Sequence, residues 1–267
     1  MTASATLAPY VEFARKAFSR EATYRVDVFA EIGSLVVRVY LLRALWTALY
    51  AQNAAPSDLP LHAMITYATV ALLMSLVLEV DGTRQIRDKV REGTIAIDLM
   101  RPISVPLSFF SDGFGRTLFH ALVIVPSLLC ALLLVRIDVP SLPTLALFAV
   151  AFAQGYVVNF LLNFLMNSVA FWTLETFAIQ LMIRWVSDLL SGQIIPLSFF
   201  PGALGGAVGL LPFAAIYSTP LRIYVGQVAP SEIAPLLLGQ TAWIVVFTLA
   251  CALVWRVASR RIVLQGG

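Results

Sequence analysis

Three sets of polar residues recur at four-residue intervals inside apolar runs: Asp112, Arg116 and His120; Asn159, Asn163 and Asn167; and Gln180, Arg184 and Asp188. A helix places residues i and i+4 on one face, so each set reads as a polar stripe. Titratable stripes inside a membrane can relay protons, and amide stripes can line a path for a solute. The same groups can instead hold helices together, at about 0.6–2 kcal/mol per contact. Arg184 and Asp188 lie well inside their run and form a candidate intramembrane ion pair. With Asn159, Asn163 and Asn167 they are the candidates for lining a substrate path or an interface between two subunits.

Motifs for chemistry on a substrate are missing. The only lysines, Lys16 and Lys89, follow Arg15 and Asp88, so no Gly-x-x-x-x-Gly-Lys loop can cradle phosphates. Gly-x-Ser-x-Gly, His-Glu-x-x-His and Cys-x-x-Cys are absent too. His62 and His120 are too few for a metal cluster. Cys130 and Cys251 sit in separate apolar runs and read as small core residues. No catalytic residue, no metal ligand and no acidic cluster fit for Mg2+ and a diphosphate is expected.

Stepping outward from these stripes, the elements that carry them are membrane helices. Of 267 residues 60% are hydrophobic and 12% charged, against about 25% charged in a soluble domain. The chain reads as all-α, a single polytopic membrane domain over 1–267. Residues 7–20 form an amphipathic interfacial helix with Leu7, Val11, Ala14 and Phe18 on its apolar face. Arg15, Lys16 and Arg20 in residues 1–23 precede no short apolar stretch, so no cleavable signal peptide is expected. Six spans of about 20 residues or more are expected near 24–50, 61–80, 107–135, 144–172, 178–196 and 235–256. Turns are expected at Asn53 to Pro60 and Thr173 to Phe177. Arg43 reads as a snorkelling group near the far end of the first span. Residues 197–234 are apolar but broken by proline and glycine. With Pro196, Pro201, Pro212 and Pro220 they read as a re-entrant helical hairpin rather than a seventh span.

Charge sets the orientation. With six spans and both termini cytoplasmic, eleven basic residues lie inside: Arg15, Lys16, Arg20, Arg84, Arg87, Lys89, Arg91, Arg101, Arg256, Arg260 and Arg261. Two, Arg136 and Arg222, lie outside. A seventh span would shift the split to about eight against five, so the positive-inside rule favours the hairpin.

The longest charged segment, Asp81 to Val105, lies between the second and third spans. It holds five of the eighteen Lys+Arg residues and four acids. Residues 83–92 suit a short helix with Ile86 and Val90 on one face, ended by Gly93. Ile95, Ile97 and Leu99 then alternate before Arg101 and Pro102. Such a segment is either a solvated loop or a docking helix that offers two apolar side chains, ringed by charge, to a soluble protein.

The run IRDKVREGTIAIDLMRPIS resembles the cytoplasmic loop of type-2 ATP-binding-cassette (ABC) exporter permeases. Val90, Glu92, Gly93, Thr94, Leu99, Arg101, Pro102, Ile103 and Ser104 occupy that family's pattern, with Val90 where isoleucine is commoner. LSGQIIPLSFFPG (190–202) is similar to the end of the family's fifth span, and LPFAAIYSTPLRIYVGQ (211–227) to its re-entrant segment. The likeness covers about residues 10–260.

The resemblance implies a permease that pairs with a second one, identical or related, above two copies of a separate ATPase. The N-terminal helix would be a connecting helix and 81–105 the coupling loop. Ile86, Arg87, Val90, Glu92, Gly93, Arg101 and Pro102 would form the ATPase interface. ATP and Mg2+ would bind the ATPase, and no cofactor is expected in this chain. Membrane lipid, but no nucleic acid, is expected as a further partner, in a bacterial inner membrane. The alternative is a proton-coupled secondary transporter using Asp112, Arg184 and Asp188, although no convincing inverted halves are visible.

Overall fold

The computed structural model describes residues 3–23, 25–52, 59–80, 82–173 and 177–265. Much of the two expected connections, Asn53 to Pro60 and Thr173 to Phe177, and Asp81 at the head of the charged loop, lie outside the described residues. The chain is an all-α polytopic membrane protein. Its helices are α1 (Ala3–Glu21), α2 (Arg25–Ala51), α3 (Leu61–Leu78), α4 (Arg84–Arg91), α5 (Ile95–Leu99), α6 (Val105–Leu134), α7 (Leu142–Ser168), α8 (Phe177–Leu190), α9 (Ala203–Gly209), α10 (Ser218–Tyr224) and α11 (Pro230–Gln265).

Among the described residues, four helices are long and apolar enough to cross a bilayer: α3, α6, α7 with its 3-10 extension to Phe171, and α11 as far as Arg261. Six crossings are therefore not established. α2 has the length but carries Glu31, Arg38 and Arg43. α8 has 14 residues, which span only about 21 Å. The fifth apolar run stops at Leu190 because Ser191, Gly192 and Gln193 turn the chain, with Gly192 at φ 81°.

α3 is apolar all round, as a helix enclosed by protein must be, and 67% of its span is buried against 22% for α6 and α7. Met64, Tyr67 and Met74 of α3 pack against Trp46 of α2, Tyr156 and Val158 of α7, and Ile216 and Leu221. α2, α6 and α10 pack against α3, and α6, α7 and α11 turn long apolar flanks outward, including Leu122, Leu129, Val150 and Leu249.

α1 packs on α6 through the second half of the expected stripe, Ala14 and Phe18, joined by Ala17. Ala17 is fully buried, Phe18 meets Phe119 edge-on at 5.7 Å, and Leu7 and Val11 are exposed. The cause is small-residue contact. A Cβ on Gly115 would stand 2.0 Å from the carbonyl oxygen of Ala14, so the two backbones touch there. Leu7 and Val11 are left on the outer edge of the helix.

The broken segment after α8 contains two short helices, α9 and α10. Pro196 precedes a 3-10 turn, Pro201 precedes α9, Pro212 lies in the turn beyond it, and Pro220 falls in the first turn of α10, where a missing N–H costs no hydrogen bond. Gln240 of α11 holds this segment by donating to the carbonyls of Ala215 (2.7 Å) and Ala151 (2.9 Å). Arg43 caps the far end of α6 by donating to the Leu134 carbonyl. Cys130 and Cys251 are free thiols, Cys251 being buried.

Candidate functional site

The charged loop folds into α4 and α5, joined at Gly93, whose φ of 73° permits the reversal. Ile95 to Leu99 is helical, not the extended alternation that the sequence suggests. A helical turn places Ile95 and Leu99 on one inward face and leaves Ile97 outside. Ile86 and Ile95 are 0% and 1% exposed, packed with Val105, Phe109, Phe164 and Ala258, and Val90 lies partly buried against them. Ile86 is thus a core residue of this chain, which corrects its assignment to a surface offered to a partner. Apolar side chains on a short loop helix bury themselves on the nearest bundle, here α6, α7 and α11.

What remains outward is different. Arg91, Glu92, Gly93, Arg101 and Pro102 are exposed. So are Ile97 at 58% and Met100 at 85%; the sequence reading set Ile97 in alternation with Ile95 and Leu99 and did not single out Met100. Asp98 shapes this face from behind. Its buried carboxylate meets Lys89 at 2.5 Å and Arg101 at 3.4 Å.

Two polar joints fix the loop to the membrane helices. In the first, Asp112 of α6 accepts from Arg20 of α1 (3.0 Å), Gln85 of α4 (2.6 Å) and Arg116 (2.9 Å). Arg116 lies 3.6 Å from Glu21, and His120 Nδ1 lies 3.4 Å from Glu31. This stripe ties α1, α2, α4 and α6 together.

In the second, Arg87 of α4 donates to Gln180 of α8 (3.0 Å), and Gln180 donates to Asn167 of α7 (2.9 Å). Asn167 donates in turn to Thr83, just before α4 (2.8 Å). Asn163 donates to Asn159 (3.2 Å), and Asn159 to the Leu78 carbonyl at the end of α3 (2.6 Å). The amide stripe is thus bonded between helices, and it also walls a cavity of about 390 Å³.

That cavity brings Asn159, Asn163, Asn167, Arg184 and Asp188 together in one place. Arg184 lies 3.9 Å from Asp188 and closer, 3.3 Å, to Glu79. Glu79 also accepts from Gln193 (3.4 Å). Sequence reasoning missed Glu79. Its signal was present: a single acid at the end of an otherwise uncharged second span. Among the described residues no group of three His, Cys, Asp or Glu could hold a metal ion. The arrangement offers hydrogen-bond donors and acceptors, three guanidinium groups (Arg84, Arg87 and Arg184) and two carboxylates to a small polar or amphipathic solute.

The chain was compared with known proteins. No curated protein and no solved structure matches it. A family model described as ABC-2 family transporter protein matches residues 36–266, which include the amide cavity and both loop helices. The chain belongs to the ABC-2 transporter family, as a permease of the ABC-2 type.

Proposed function

We propose that this permease is the membrane half of an ATP-driven exporter. It pairs with a second permease, identical or related, and two ATPase subunits dock on the loop that ends α3 and begins α6. ATP and Mg2+ bind those subunits. The docking face is the exposed pair Ile97 and Met100 with Arg91, Glu92, Arg101 and Pro102 around it. The cavity bearing Asn159, Asn163, Asn167, Arg184 and Asp188 is this chain's share of the substrate path. Both termini lie in the cytoplasm of a bacterium whose inner membrane holds the complex. α1 serves as the connecting helix, and residues 197–234 enter the membrane from outside without crossing it.

One observation carries this reading. The loop helix α4 is bonded to α7 and α8 through Thr83, Asn167, Gln180 and Arg87, and to α1 and α6 through Gln85, Asp112 and Arg20. A load on the loop therefore reaches both sides of the bundle at once. The proton-coupled alternative needs a carboxylate free to exchange protons. Asp112 is occupied by three donor side chains, which disfavours it.

The test is copurification. The tagged chain, coexpressed with a candidate partner ATPase, should retain that ATPase, and Met100→Glu should release it while the permease still inserts. Transport by the isolated chain in liposomes, driven by a pH gradient and lost in Asp188→Asn, would overturn the proposal.

A further inference from the structure

A second cavity, of about 640 Å³, opens between α1, α2, the end of α3, α4 and α6. Four carboxylates line it, and three of them face an arginine: Glu21 faces Arg116 (3.6 Å), Glu79 faces Arg184 (3.3 Å) and Asp88 faces Arg87 (3.0 Å), whereas Glu31 faces no arginine and lies 3.4 Å from the imidazole of His120. Arg84 and Arg38 also line the cavity, and among the described residues Arg38 has no ion-pair or hydrogen-bond partner. The cavity thus holds a guanidinium that no described side chain pairs with.

Arg38 stands thirteen residues into α2, about 20 Å along the helix. It shares a face with Glu31, Ser34 and Leu35, all of which line the same cavity. Helical side chains lean toward the N-terminus, so its guanidinium reaches down toward Ser34. Its planar fork of donors matches the oxygens of a phosphate. Pockets with basic side chains between membrane helices bind lipid head groups. Beside Arg38, Val37, Tyr40 and Leu41 are exposed on the outer flank of α2, an apolar surface next to the polar cavity. Glu31 lies two turns below, where a positive group attached to the phosphate would come to rest.

We propose that this cavity is a phospholipid site, with Arg38 holding the phosphate, Val37 and Leu41 against the acyl chains, and Glu31 facing an ethanolamine ammonium. The site is independent of the transport reading: it needs neither an ATPase nor a substrate. It joins α1, α2 and α4 through a lipid, beside the Asp112 joint.

Native mass spectrometry of the purified full chain, delipidated and titrated with phosphatidylethanolamine, tests this. Wild type should hold the lipid, Arg38→Gln should weaken binding about tenfold, and Arg43→Gln, which lies outside the cavity, should leave it unchanged. Equal binding by wild type and Arg38→Gln overturns the site. So does Arg38-dependent binding of inorganic phosphate without any lipid adduct, which would make the ligand a free anion. If Arg38→Gln does not fold, Glu31→Gln decides. It should weaken phosphatidylethanolamine and spare phosphatidylglycerol, and an equal effect on both overturns the assignment.

Discussion

Arg20 and Asp112 lie 92 residues apart in sequence and meet at 3.0 Å. The bond fastens the end of α1 to the flank of α6, and the same carboxylate accepts from Gln85 of the loop helix. Asp112 is mostly buried, whereas Arg20 is half exposed. The two partners should therefore differ in weight. Asp112→Asn removes the charge that two arginines share and should lower stability by about 1–3 kcal/mol. Arg20→Gln leaves Arg116 and Gln85 in place and should cost less. Thermal unfolding of the purified single variants checks the order, and a larger loss for Arg20→Gln would contradict it.

Gly115 permits the contact between α1 and α6. Its missing Cβ would sit 2.0 Å from the Ala14 oxygen and 2.7 Å from that residue's backbone carbons. Backbone cannot yield as a side-chain end can. Gly115→Val should therefore lift α1 off α6 and expose it to protease in detergent, without preventing insertion of the other helices. Gly206→Ala, where nothing stands within 4 Å, is the control and should leave the digestion pattern unchanged.

The helices were legible because hydrophobic runs and their charged ends mark them strongly, and α3, α6, α7 and α11 fall close to the expected spans. α8 was overestimated because hydropathy runs through Ile194 and Ile195, whereas the chain turns at Gly192. The polar stripes were legible as faces, since i, i+4 spacing is a property of the helix itself. Their partners were not: Thr83, Gln85 and Glu79 come from distant elements, and no spacing rule joins them. The direction of the loop's apolar face failed for a related reason. Amphipathicity tells that Ile86 is buried, but not whether this chain or another one covers it.

The relay from Arg87 through Gln180 to Asn167 makes a prediction that rests on the coupled-permease reading. Gln180→Leu removes a donor and an acceptor without shortening α8. In proteoliposomes with the ATPase it should leave ATP hydrolysis near wild type and reduce transport per ATP. Gln180→Glu can still accept from Arg87 and should recover part of the loss. Equal transport by Gln180→Leu and wild type would remove the relay from the mechanism.

Ile86 and Met100 lie on opposite faces of the loop and separate packing from docking. Ile86 is enclosed by Val105, Phe109 and Phe164, so Ile86→Ala opens a cavity and should cost about 2–5 kcal/mol of stability. Met100 is 85% exposed, and Met100→Glu should leave the unfolding midpoint close to wild type. Binding of the ATPase should respond in the reverse order, since a carboxylate at Met100 brings an unpaired charge into the centre of the proposed contact, which interfaces exclude. Ile86→Ala, once folded, leaves that contact surface unaltered and should keep the ATPase. Measuring both variants by thermal unfolding and by pull-down resolves the two roles. If Met100→Glu retains the ATPase while folded Ile86→Ala releases it, the docking face is the one that Ile86 supports from within, and the exposed pair is not the contact.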